Sequence, residues 1–521
     1  MKFQELIEDP YAVTQGGLPQ EISRALAGLD ITKITADSRQ VIAGAIFVAV
    51  PGSKTDGWQF LGDAVDRGAG ILVGQGPDPN FDVPYIRVKE SRRALAYLAA
   101  AWNGYPARRL VMIGVTGTDG KTTTTNLIYE ILRTAGIKVG MISTLNTVIG
   151  QREFATGYHV TTPGALEVQN HLAQMVSAGL THCVLETTSH GLAQQRVLGC
   201  DFDLALAANI THEHLDYHGS FEQYRHAKRM LFESLENSAP KKVAIERKAI
   251  LNRDDSSFDY LQAGLGVTLL SYGLDQEADV RAQAVRVSMQ GLKFSIVSEE
   301  YVQPIESSLI GEYNVSNCLA AFSAAVEGLG ISPATAAKGI AMLQSVPGRM
   351  EPIDLGQSFL AMVDFAHTPS SMRRVLETAR ALTRGRIIAL FGSAGLRDRE
   401  KRRMMAAVAA ELADFVILTA EDPRSESLPA ILEEMAEGAQ GKGAEEGRNF
   451  WRIEDRGEAL RFAVRLAQPE DLVLALGKGH EQSMAFGEIE YPWDDRSAMR
   501  AALAELLEIE GPAMPRLPTS K

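Results

Sequence analysis

Between Leu110 and Gly136 an apolar run, a glycine-rich turn and an amphipathic pattern follow one another. The run 110–115 is typical of a buried strand. After the turn, apolar residues recur at helical spacing, and Gly136 ends that pattern. The turn, residues 114–125, reads Gly-Val-Thr-Gly-Thr-Asp-Gly-Lys-Thr-Thr-Thr-Thr. A strand, such a turn and a helix in this order predict a phosphate-binding loop.

The residues of this loop suit a nucleotide. Glycines let backbone amides approach phosphate, and the N-terminus of a helix attracts anions. Lys121 is placed to reach the β- and γ-phosphates, and the Thr122 hydroxyl to hold Mg²⁺. The usual pattern has a glycine where Val115 stands, whereas here the glycines are at 114, 117 and 120. A plain glycine turn is the alternative, but Gly-Lys-Thr in this setting predicts a bound nucleoside triphosphate.

Composition and charge limit the rest of the chain. It has 521 residues, 45% of them apolar and 22% charged, so several domains are expected. The formal charge, 52 − 65 = −13, argues against a general binder of nucleic acid or of an anionic membrane. The three cysteines form no CxxC pair. The first residues lack the apolar core of a signal peptide. No apolar run approaches the ~18 residues that a membrane span needs. We therefore expect a cytoplasmic protein.

Short apolar runs alternate with helical patterns almost throughout, which predicts an α/β fold with largely parallel sheets. Segments rich in glycine and proline divide the chain near residues 105 and 346. We predict an N-terminal domain over 1–105, a central P-loop domain with a parallel sheet over 106–345, and a C-terminal Rossmann-like domain over 346–521. The further strand candidates are 182–186, 204–210, 386–391, 415–419 and 472–476.

Polar residues follow the predicted strands of the central domain. Glu186 ends the run 182–186, and ligands of open α/β sheets bind at the carboxyl ends of strands. A carboxylate at that position is suited to Mg²⁺. Four of the ten histidines lie within 212–226, but their spacing fits no zinc pattern. Surface or hydrogen-bonding roles are therefore expected for His212, His218 and His226.

Three of the C-terminal strand candidates lead into loops with charged residues. These loops contain Arg397, Arg424 and Glu481. Parallel strands bring such loops to one edge of a Rossmann-like sheet. Because arginine suits a carboxylate and glutamate suits an ammonium group, the three loops together predict a pocket for an amino acid. A solvated loop is the alternative for each loop taken alone.

Ordered motifs between Asp37 and Asp495 resemble those of the Mur ligase family, most closely the branch that adds the third residue of the peptide. The resemblance implies an ATP-dependent acid–amino-acid ligase of peptidoglycan precursor synthesis. It would join a diamino acid to UDP-MurNAc-L-Ala-D-Glu through an acyl phosphate. The three domains would hold, in order, the uridine nucleotide, ATP and the incoming amino acid. The matching stretches are 116–123, 161–163, 186–196, 214–219, 227–228, 311–317, 347–351, 364–369, 397–398, 421–424 and 477–481.

The resemblance also implies roles for individual residues. The implied catalytic residues are Lys121, Lys228, His214 and Glu186, and the implied Mg²⁺ ligands are Thr122, Glu186, His214 and Lys228, the last as a carbamate. The residues implied to bind ATP are Gly117, Thr118, Asp119, Gly120, Lys121, Thr122, Thr123, Asn317, Arg349, Asp364 and His367. Those implied to bind the UDP substrate are Ser38, Thr161, Thr162, Thr188, Gln194 and Arg196. Those implied to bind the added amino acid are Arg397, Glu421, Asp422, Pro423, Arg424, Gly477 and Glu481.

The sequence departs from the family pattern in three places, and the first is Leu396, where a glycine-flanked aspartate is usual in the first C-terminal loop. In the family, Asp-Asn-Pro-Arg in the second loop goes with meso-diaminopimelate, but residues 421–424 read Glu-Asp-Pro-Arg here. Arg424 favours a distal carboxylate, whereas the charge of Asp422 favours the distal ammonium of lysine or ornithine, so meso-diaminopimelate is slightly favoured. Asp119 stands where asparagine is common in the phosphate loop. An anion beside phosphate is unfavourable unless it is compensated.

Other functions share part of this pattern. A folylpolyglutamate synthetase-like ligase has the same loop and acyl phosphate but lacks the N-terminal substrate segment 31–73. Another amino-acid-adding Mur ligase is a second alternative. A regulatory nucleotide switch would need no amino-acid pocket, and a decayed scaffold need not keep Lys121 and Lys228. The expected partners are ATP, the UDP-dipeptide and a diamino acid, with Mg²⁺ as cofactor, no nucleic acid, no membrane and a monomeric chain.

Overall fold

The computed structural model describes residues 1–520 except 20–23, 53–54, 156–160, 212, 242–244 and 275–276. Within these residues no helix is both long and apolar enough to cross a membrane. The helices are α1 (Phe3–Ile7), α2 (Pro10–Thr14), α3 (Arg24–Ala27), α4 (Leu61–Asp66), α5 (Ser91–Trp102), α6 (Lys121–Thr134), α7 (Ala165–Ser177), α8 (Ser189–Ala193), α9 (Leu215–His218), α10 (Phe221–Asn237), α11 (Phe258–Gln262), α12 (Tyr313–Ser323), α13 (Pro333–Met342), α14 (Pro369–Leu382), α15 (Glu400–Leu412), α16 (Leu428–Gln440), α17 (Arg456–Leu466) and α18 (Asp495–Leu507).

The N-terminal region forms a parallel sheet. Its strands, which lie in chain order across the sheet, are β1 (Ile34–Thr35), β2 (Ala45–Val48), β3 (Ala69–Gly74) and β4 (Tyr85–Arg87). All of β2 is buried because its alternating side chains face two cores. Ile46 and Val48 pack in one apolar cluster, and Ala45 and Phe47 pack in the other. Ser38 lies in the short 3₁₀ helix between β1 and β2 and is 8% exposed.

The central region contains the longest sheet. Its strands are β5 (Val111–Thr116), β6 (Val139–Ile142), β7 (Asn146–Ile149), β8 (Arg152–Ala155), β9 (His182–Glu186), β10 (Leu204–Ala207), β11 (Lys248–Asn252), β12 (Thr268–Gly273), β13 (Val280–Ser288), β14 (Gly291–Val297) and β15 (Val302–Ser307). They lie in the order β15-β14-β13-β12-β11-β10-β5-β9-β6-β7-β8. The strands from β13 to β6 in this order are parallel, and antiparallel strands extend both edges. Ile113 and Val115 of β5 pack on one face and Met112 on the other, as in a sheet covered on both sides.

The C-terminal region forms a third sheet. Its strands are β16 (Glu351–Pro352), β17 (Leu360–Asp364), β18 (Ile387–Phe391), β19 (Phe415–Leu418), β20 (Phe450–Arg452) and β21 (Leu472–Leu476), and β22 (Ser483–Phe486) pairs separately with β23 (Ile489–Pro492). The order is β16-β17-β21-β18-β19-β20, and among these described strands only β16 runs antiparallel. The loops after β17, β21, β18 and β19 therefore meet at one edge.

The predicted α/β fold is confirmed, and most predicted strands match within a residue. The runs 182–186 and 472–476 form β9 and β21 with those bounds. The prediction over 204–210 is too long, because β10 ends at Ala207. Asn209 then turns away from the sheet and bonds with the phosphate loop instead.

The three cysteines lie in the core of the central region. Cys183, Cys200 and Cys318 all belong to apolar clusters and have no exposed surface. Burial raises the pKa of the Cys318 thiol to about 12 and raises the pKa values of the other two thiols as well. All three side chains therefore behave as small apolar groups.

One buried ion pair joins the ends of β19 and β21. Arg456, the first residue of α17, donates from Nε and Nη2 to the Asp495 carboxylate at 2.7 and 2.6 Å, and both side chains are fully buried. The guanidinium also donates to the carbonyl oxygens of Ala420, just after β19, and Leu476, at the end of β21. These hydrogen bonds compensate the removal of both charges from water.

Replacing Arg456 by methionine should lower the free energy of unfolding by about 3–5 kcal/mol, because Asp495 would remain as a buried charge without its partner. Chemical denaturation followed by circular dichroism measures this. Arg461→Met is the control, because Arg461 lies on the same helix but forms partly exposed ion pairs with Glu458 and Glu505. We expect a loss of about 1 kcal/mol or less there. Equal losses in both variants would contradict the special role of Arg456.

Candidate active site

The phosphate loop joins β5 to α6, and its shape depends on two glycines. Gly117 and Gly120 have φ angles of 154° and 78°. A Cβ atom at Gly120 would lie 2.2 Å from Asn317 Oδ1, so glycine is required by this close approach. Because α6 begins at Lys121, the N-terminus of the helix faces the loop. The predicted strand, loop and helix are thus present, with the anion-attracting end of the helix at the loop.

The end of a neighbouring strand holds the loop in place. The Asn209 side chain accepts from Asp119 N at 2.9 Å and donates to Asp119 O at 3.0 Å. Thr118 N donates to Asn209 O at 2.7 Å. Lys121 Nζ donates to the carbonyl oxygens of Gly117 and Thr118 at 3.0 and 2.7 Å. Its ammonium group therefore lies over the loop, where a phosphate-binding lysine acts.

Glu186 lies beside the start of α6, because β9 pairs with β5 and places Glu186 opposite Val115. Its carboxylate accepts from Thr122 Oγ1 at 3.1 Å and from Thr144 N and Oγ1 at 3.0 and 2.9 Å. The Thr144 hydroxyl also lies 3.1 Å from Thr161 Oγ1. A carboxylate next to a hydroxyl is a pair of oxygen donors that Mg²⁺ accepts. Thr122 and Glu186 therefore fit the predicted metal site.

The buried side chain of Lys228, in α10, also contacts the phosphate loop. It is 1% exposed, and its Nζ donates to Gly117 O at 2.5 Å. Burial lowers the pKa of this amine well below its usual value, which favours the neutral form. The His214 side chain is 40% exposed, but partial desolvation and the nearby Lys121 and Lys228 lower its pKa, and a neutral imidazole can bind a metal. Among the described side chains no three histidines, cysteines, aspartates or glutamates could together hold a metal ion, so the four-ligand set stays a prediction.

Hydrogen bonds connect Glu186 with the predicted UDP-substrate residues. Thr162 Oγ1 donates to Glu186 O at 3.0 Å and accepts from Thr188 N at 3.0 Å. Arg196 Nη1 donates to Thr162 O at 2.8 Å, and its Nη2 donates to Gln194 Oε1 at 2.7 Å. The central residues predicted to bind the UDP substrate thus share one network with a predicted metal ligand.

The segment around β17 is folded by the carboxylate of Asp364. This carboxylate accepts from the backbone N–H groups of Met350 and Ala366, both at 2.7 Å. Burial raises the pKa of Asp364. The Arg349 guanidinium lies 4.5 Å from the centre of the Phe365 ring. Two of the predicted ATP-binding residues therefore shape the boundary between the central and C-terminal regions.

Two contacts between side chains cross that boundary. His367 Nε2 lies 3.5 Å from Glu213 Oε1. Arg374, in α14, forms an ion pair with Asp119 of the phosphate loop. Both contacts bring the segment after β17 against the central region at the phosphate loop.

The second and third C-terminal loops share a buried group of charges. Lys478 is fully buried, and its Nζ lies 3.0 Å from Asp422 Oδ1 and 2.5 Å from Glu481 Oε2. Burial opposes the charged form of this lysine, but the carboxylates of Glu481 and Asp422 outweigh burial and raise its pKa. Asp422 also accepts from Ala485 N at 2.9 Å. Lys478 is shared between Asp422 and Glu481, so it offsets part of the Asp422 charge and weakens the predicted preference of this residue for a distal ammonium group.

Glu421 is buried and interacts electrostatically with Lys478 and Asp422. Its Oε2 is buried without a hydrogen-bond partner among the described residues, and burial raises the pKa of its carboxyl group. A Cβ atom at Gly477 would lie 2.1 Å from that oxygen, so glycine makes room for the carboxylate. Arg424 Nη1 donates to Gly395 O at 3.1 Å, which joins the first and second loops. Arg397, in the first loop, is exposed.

Several residues at the site were missed by the sequence analysis. The clearest is Lys401, near the start of α15, whose amine is attracted by the carboxylates of Glu421 and Glu213, although burial lowers its pKa. These two glutamates belong to different regions, so Lys401 interacts electrostatically with both the predicted amino-acid pocket and the central region. The sequence feature that could have indicated Lys401 is its position four residues after Arg397, close to a residue predicted to bind the amino acid. The other missed residues are Thr144, Asn209, Glu213, Arg374 and Lys478.

Comparisons with known proteins match the three regions in turn. The Mur ligase family catalytic domain matches residues 30–103, the Mur ligase middle domain 115–325, and the Mur ligase glutamate ligase domain 348–479.

Relatives similar over nearly the whole length also exist. A UDP-N-acetylmuramoyl-L-alanyl-D-glutamate–2,6-diaminopimelate ligase of Geobacillus thermodenitrificans is 40% identical, covering 97% of this chain and 100% of that protein. A UDP-N-acetylmuramyl-tripeptide synthetase of a Roseiflexus species is 42% identical, covering 92% and 95%. A solved UDP-N-acetylmuramoyl-L-alanyl-D-glutamate–2,6-diaminopimelate ligase superposes with a TM-score of 0.67 at 30% identity, covering 97% and 99%. Identity of this extent shows that the chain belongs to the Mur ligase family of ATP-dependent ligases.

Proposed function

We propose that the protein adds the third residue, a diamino acid, to UDP-MurNAc-L-Ala-D-Glu in the cytoplasmic synthesis of peptidoglycan precursors. The observation that carries the proposal is the contact of the C-terminal region with the central region beside the phosphate loop, where Arg374 pairs with Asp119 and His367 contacts Glu213. A ligase that activates an acid on one domain and binds the amine on another needs both at one cleft. The activities named for the Geobacillus and Roseiflexus relatives support the same step.

The proposed chemistry is activation of a carboxylate. The γ-phosphoryl group of ATP moves to the D-Glu γ-carboxylate, and ADP is released. The amine of the diamino acid then attacks the acyl phosphate, loses a proton and forms the amide as inorganic phosphate leaves. Lys121 holds the β- and γ-phosphates, while Thr162, Thr188 and Arg196 hold the UDP substrate. The protein acts mainly by positioning and by neutralising charge.

Thr122 and Glu186 would hold Mg²⁺, which when bound neutralises negative charge on the phosphates. We propose that His214 and Lys228 complete this site. A neutral amine such as that of Lys228 can attack CO₂, forming a C–N bond and losing a proton, so that the lysine becomes an anionic carbamate. This change accounts for a fully buried lysine beside the loop, where an ammonium group is disfavoured by burial.

The amino-acid pocket supports meso-diaminopimelate as the substrate. Among the described residues Arg424 forms no ion pair, so its guanidinium is suited to a distal carboxylate. The Asp422 charge that favours lysine or ornithine is already offset in part by Lys478. Glu421, whose Oε2 has no hydrogen-bond partner among the described residues, is suited to accept from an ammonium group, and Glu481, which already contacts Lys478, would be a second acceptor.

The alternative functions fit the structure less well. The four-stranded N-terminal sheet, which includes β1 to β4, gives the chain an additional substrate region that a folylpolyglutamate synthetase-like ligase would not need. A nucleotide switch would not need the buried charges around Lys478. The proposal also includes a monomer and the domain limits 1–105, 106–345 and 346–521.

The proposal predicts ADP formation that depends on the UDP-dipeptide, Mg²⁺ and a diamino acid. We expect meso-diaminopimelate to give the highest kcat/KM in a panel with L-lysine and L-ornithine, because Arg424 can bind its second carboxylate. Coupled ADP detection and mass spectrometry of the UDP-tripeptide measure this. Reactions without the UDP-dipeptide are the control. Turnover with none of the three amino acids would overturn the proposal, and a preference for lysine would overturn the proposed amino acid.

Lys228→Ala should lose most of its activity, because the proposed carbamate would be absent from the metal site. A small acid such as formate should restore part of the ADP formation by supplying an anion in the vacated space. Lys248→Ala is the control, since Lys248 contacts Glu246 and the Glu327 carbonyl away from the loop. A fully active Lys228→Ala variant would contradict the metal role of this lysine.

Glu186→Gln should lower kcat by about a hundredfold, because it removes the negative charge at the proposed metal site. The substitution also places an amide group beside the hydrogen-bond donors of Thr122 and Thr144. ADP formation at saturating substrates measures this loss. Glu130→Gln is the control, because Glu130 is also a buried glutamate but pairs with Arg133 further along α6. Similar kcat values for both variants would exclude the proposed role of Glu186.

A further inference from the structure

Asp119 carries a charge that the phosphate loop itself does not require. Its carboxylate lies where a bound triphosphate would repel it. The loop conformation does not depend on this carboxylate, because the Asp119 backbone is already held on both sides by the Asn209 side chain. An asparagine at this position would keep those backbone contacts without the charge. The carboxylate therefore calls for another explanation.

The Asp119 side chain contacts a different region of the protein. Its carboxylate pairs with the guanidinium of Arg374, which is 255 positions further along the chain. Arg374 lies in the second turn of α14, and the start of that helix is fixed by reciprocal hydrogen bonds between Thr368 and Ser371. The two side chains are 32% and 27% exposed, so the pair is accessible to water. The contact between His367 and Glu213 crosses the same boundary.

We propose that the Asp119–Arg374 pair, here called the loop clasp, positions the C-terminal region over the phosphate loop. In the same pair, Arg374 cancels the charge that would otherwise repel ATP. Arg374 is thus a positioning residue that acts through Asp119 rather than on the phosphates. This inference rests on the proposed ligase activity and explains why an acid is tolerated in the loop.

A double-mutant cycle on the full chain tests the loop clasp. In Arg374→Gln the uncompensated carboxylate should raise KM for ATP about fivefold, the effect of one unit charge at ~4 Å in water. The same variant should also lower kcat, because the C-terminal region is held less firmly. In the double variant Asp119→Asn/Arg374→Gln, KM for ATP should return to within about twofold of that of Asp119→Asn, because the repelling charge is gone. Steady-state ADP formation gives both constants.

Two results would overturn the loop clasp. If Arg374→Gln raises KM for ATP as much in the Asp119→Asn background as in the wild type, Arg374 acts on the phosphates directly. No change in Arg374→Gln would mean that the pair has no role. Arg374→Lys should retain most of the wild-type behaviour. Arg373→Gln is the neighbouring control, because Arg373 pairs with Glu377 and Glu411 inside the C-terminal region; it should leave both constants unchanged.

Failure of the proposed function would be visible separately. If the wild-type protein forms no ADP with any of the three diamino acids, the proposed function fails. The same cycle can then be measured as the Kd of ATP by calorimetry, and we expect the same rescue by Asp119→Asn. Thermal unfolding of each variant checks folding. An Arg374→Gln variant that loses stability without the rescue of ATP affinity in the double variant would contradict the loop clasp.

Discussion

The Glu186 carboxylate connects the parts of the central site. It accepts from the first helical turn at Thr122 and from Thr144 after β6, while its backbone carbonyl accepts from Thr162. These contacts exist because β6, β9, β5 and β10 are parallel neighbours whose carboxyl ends lie at one edge. The residues predicted to bind the triphosphate, the metal and the UDP substrate are therefore linked through one residue, Glu186, by its carboxylate and its backbone carbonyl.

The sequence predicted those parts of the site that are encoded locally. The phosphate loop, Glu186 and the charged C-terminal loops each directly follow an apolar run, so their position at a sheet edge could be inferred from strand polarity. Thr144 and Asn209 could not be inferred, because their role depends on which strands are neighbours in the sheet. Arg374 lies inside a helix without a motif, and its partner belongs to a distant part of the chain.

Both unusual acids show why a single position is a weak guide to specificity. Asp119 and Asp422 each replace an amide of the family pattern, and each lies next to a cation from another element. Each charge seen in the sequence is thus offset, wholly or in part, by a neighbouring cation in the folded protein. For Asp422 the balancing group is Lys478, which lies in a neighbouring loop and also contacts Glu481. The electrostatic character of the pocket is a property of the group of charges rather than of one residue.

The burial of Cys183, Cys200 and Cys318 has a practical consequence. A protonated thiol inside an apolar core is neither nucleophilic nor reachable by alkylating reagents. In the folded protein these sulfurs should remain unmodified, so the appearance of reactive thiol would report opening of the central sheet. A cysteine introduced on the surface would then be the single site to take up a fluorescent label, which makes movements between the regions accessible to spectroscopy.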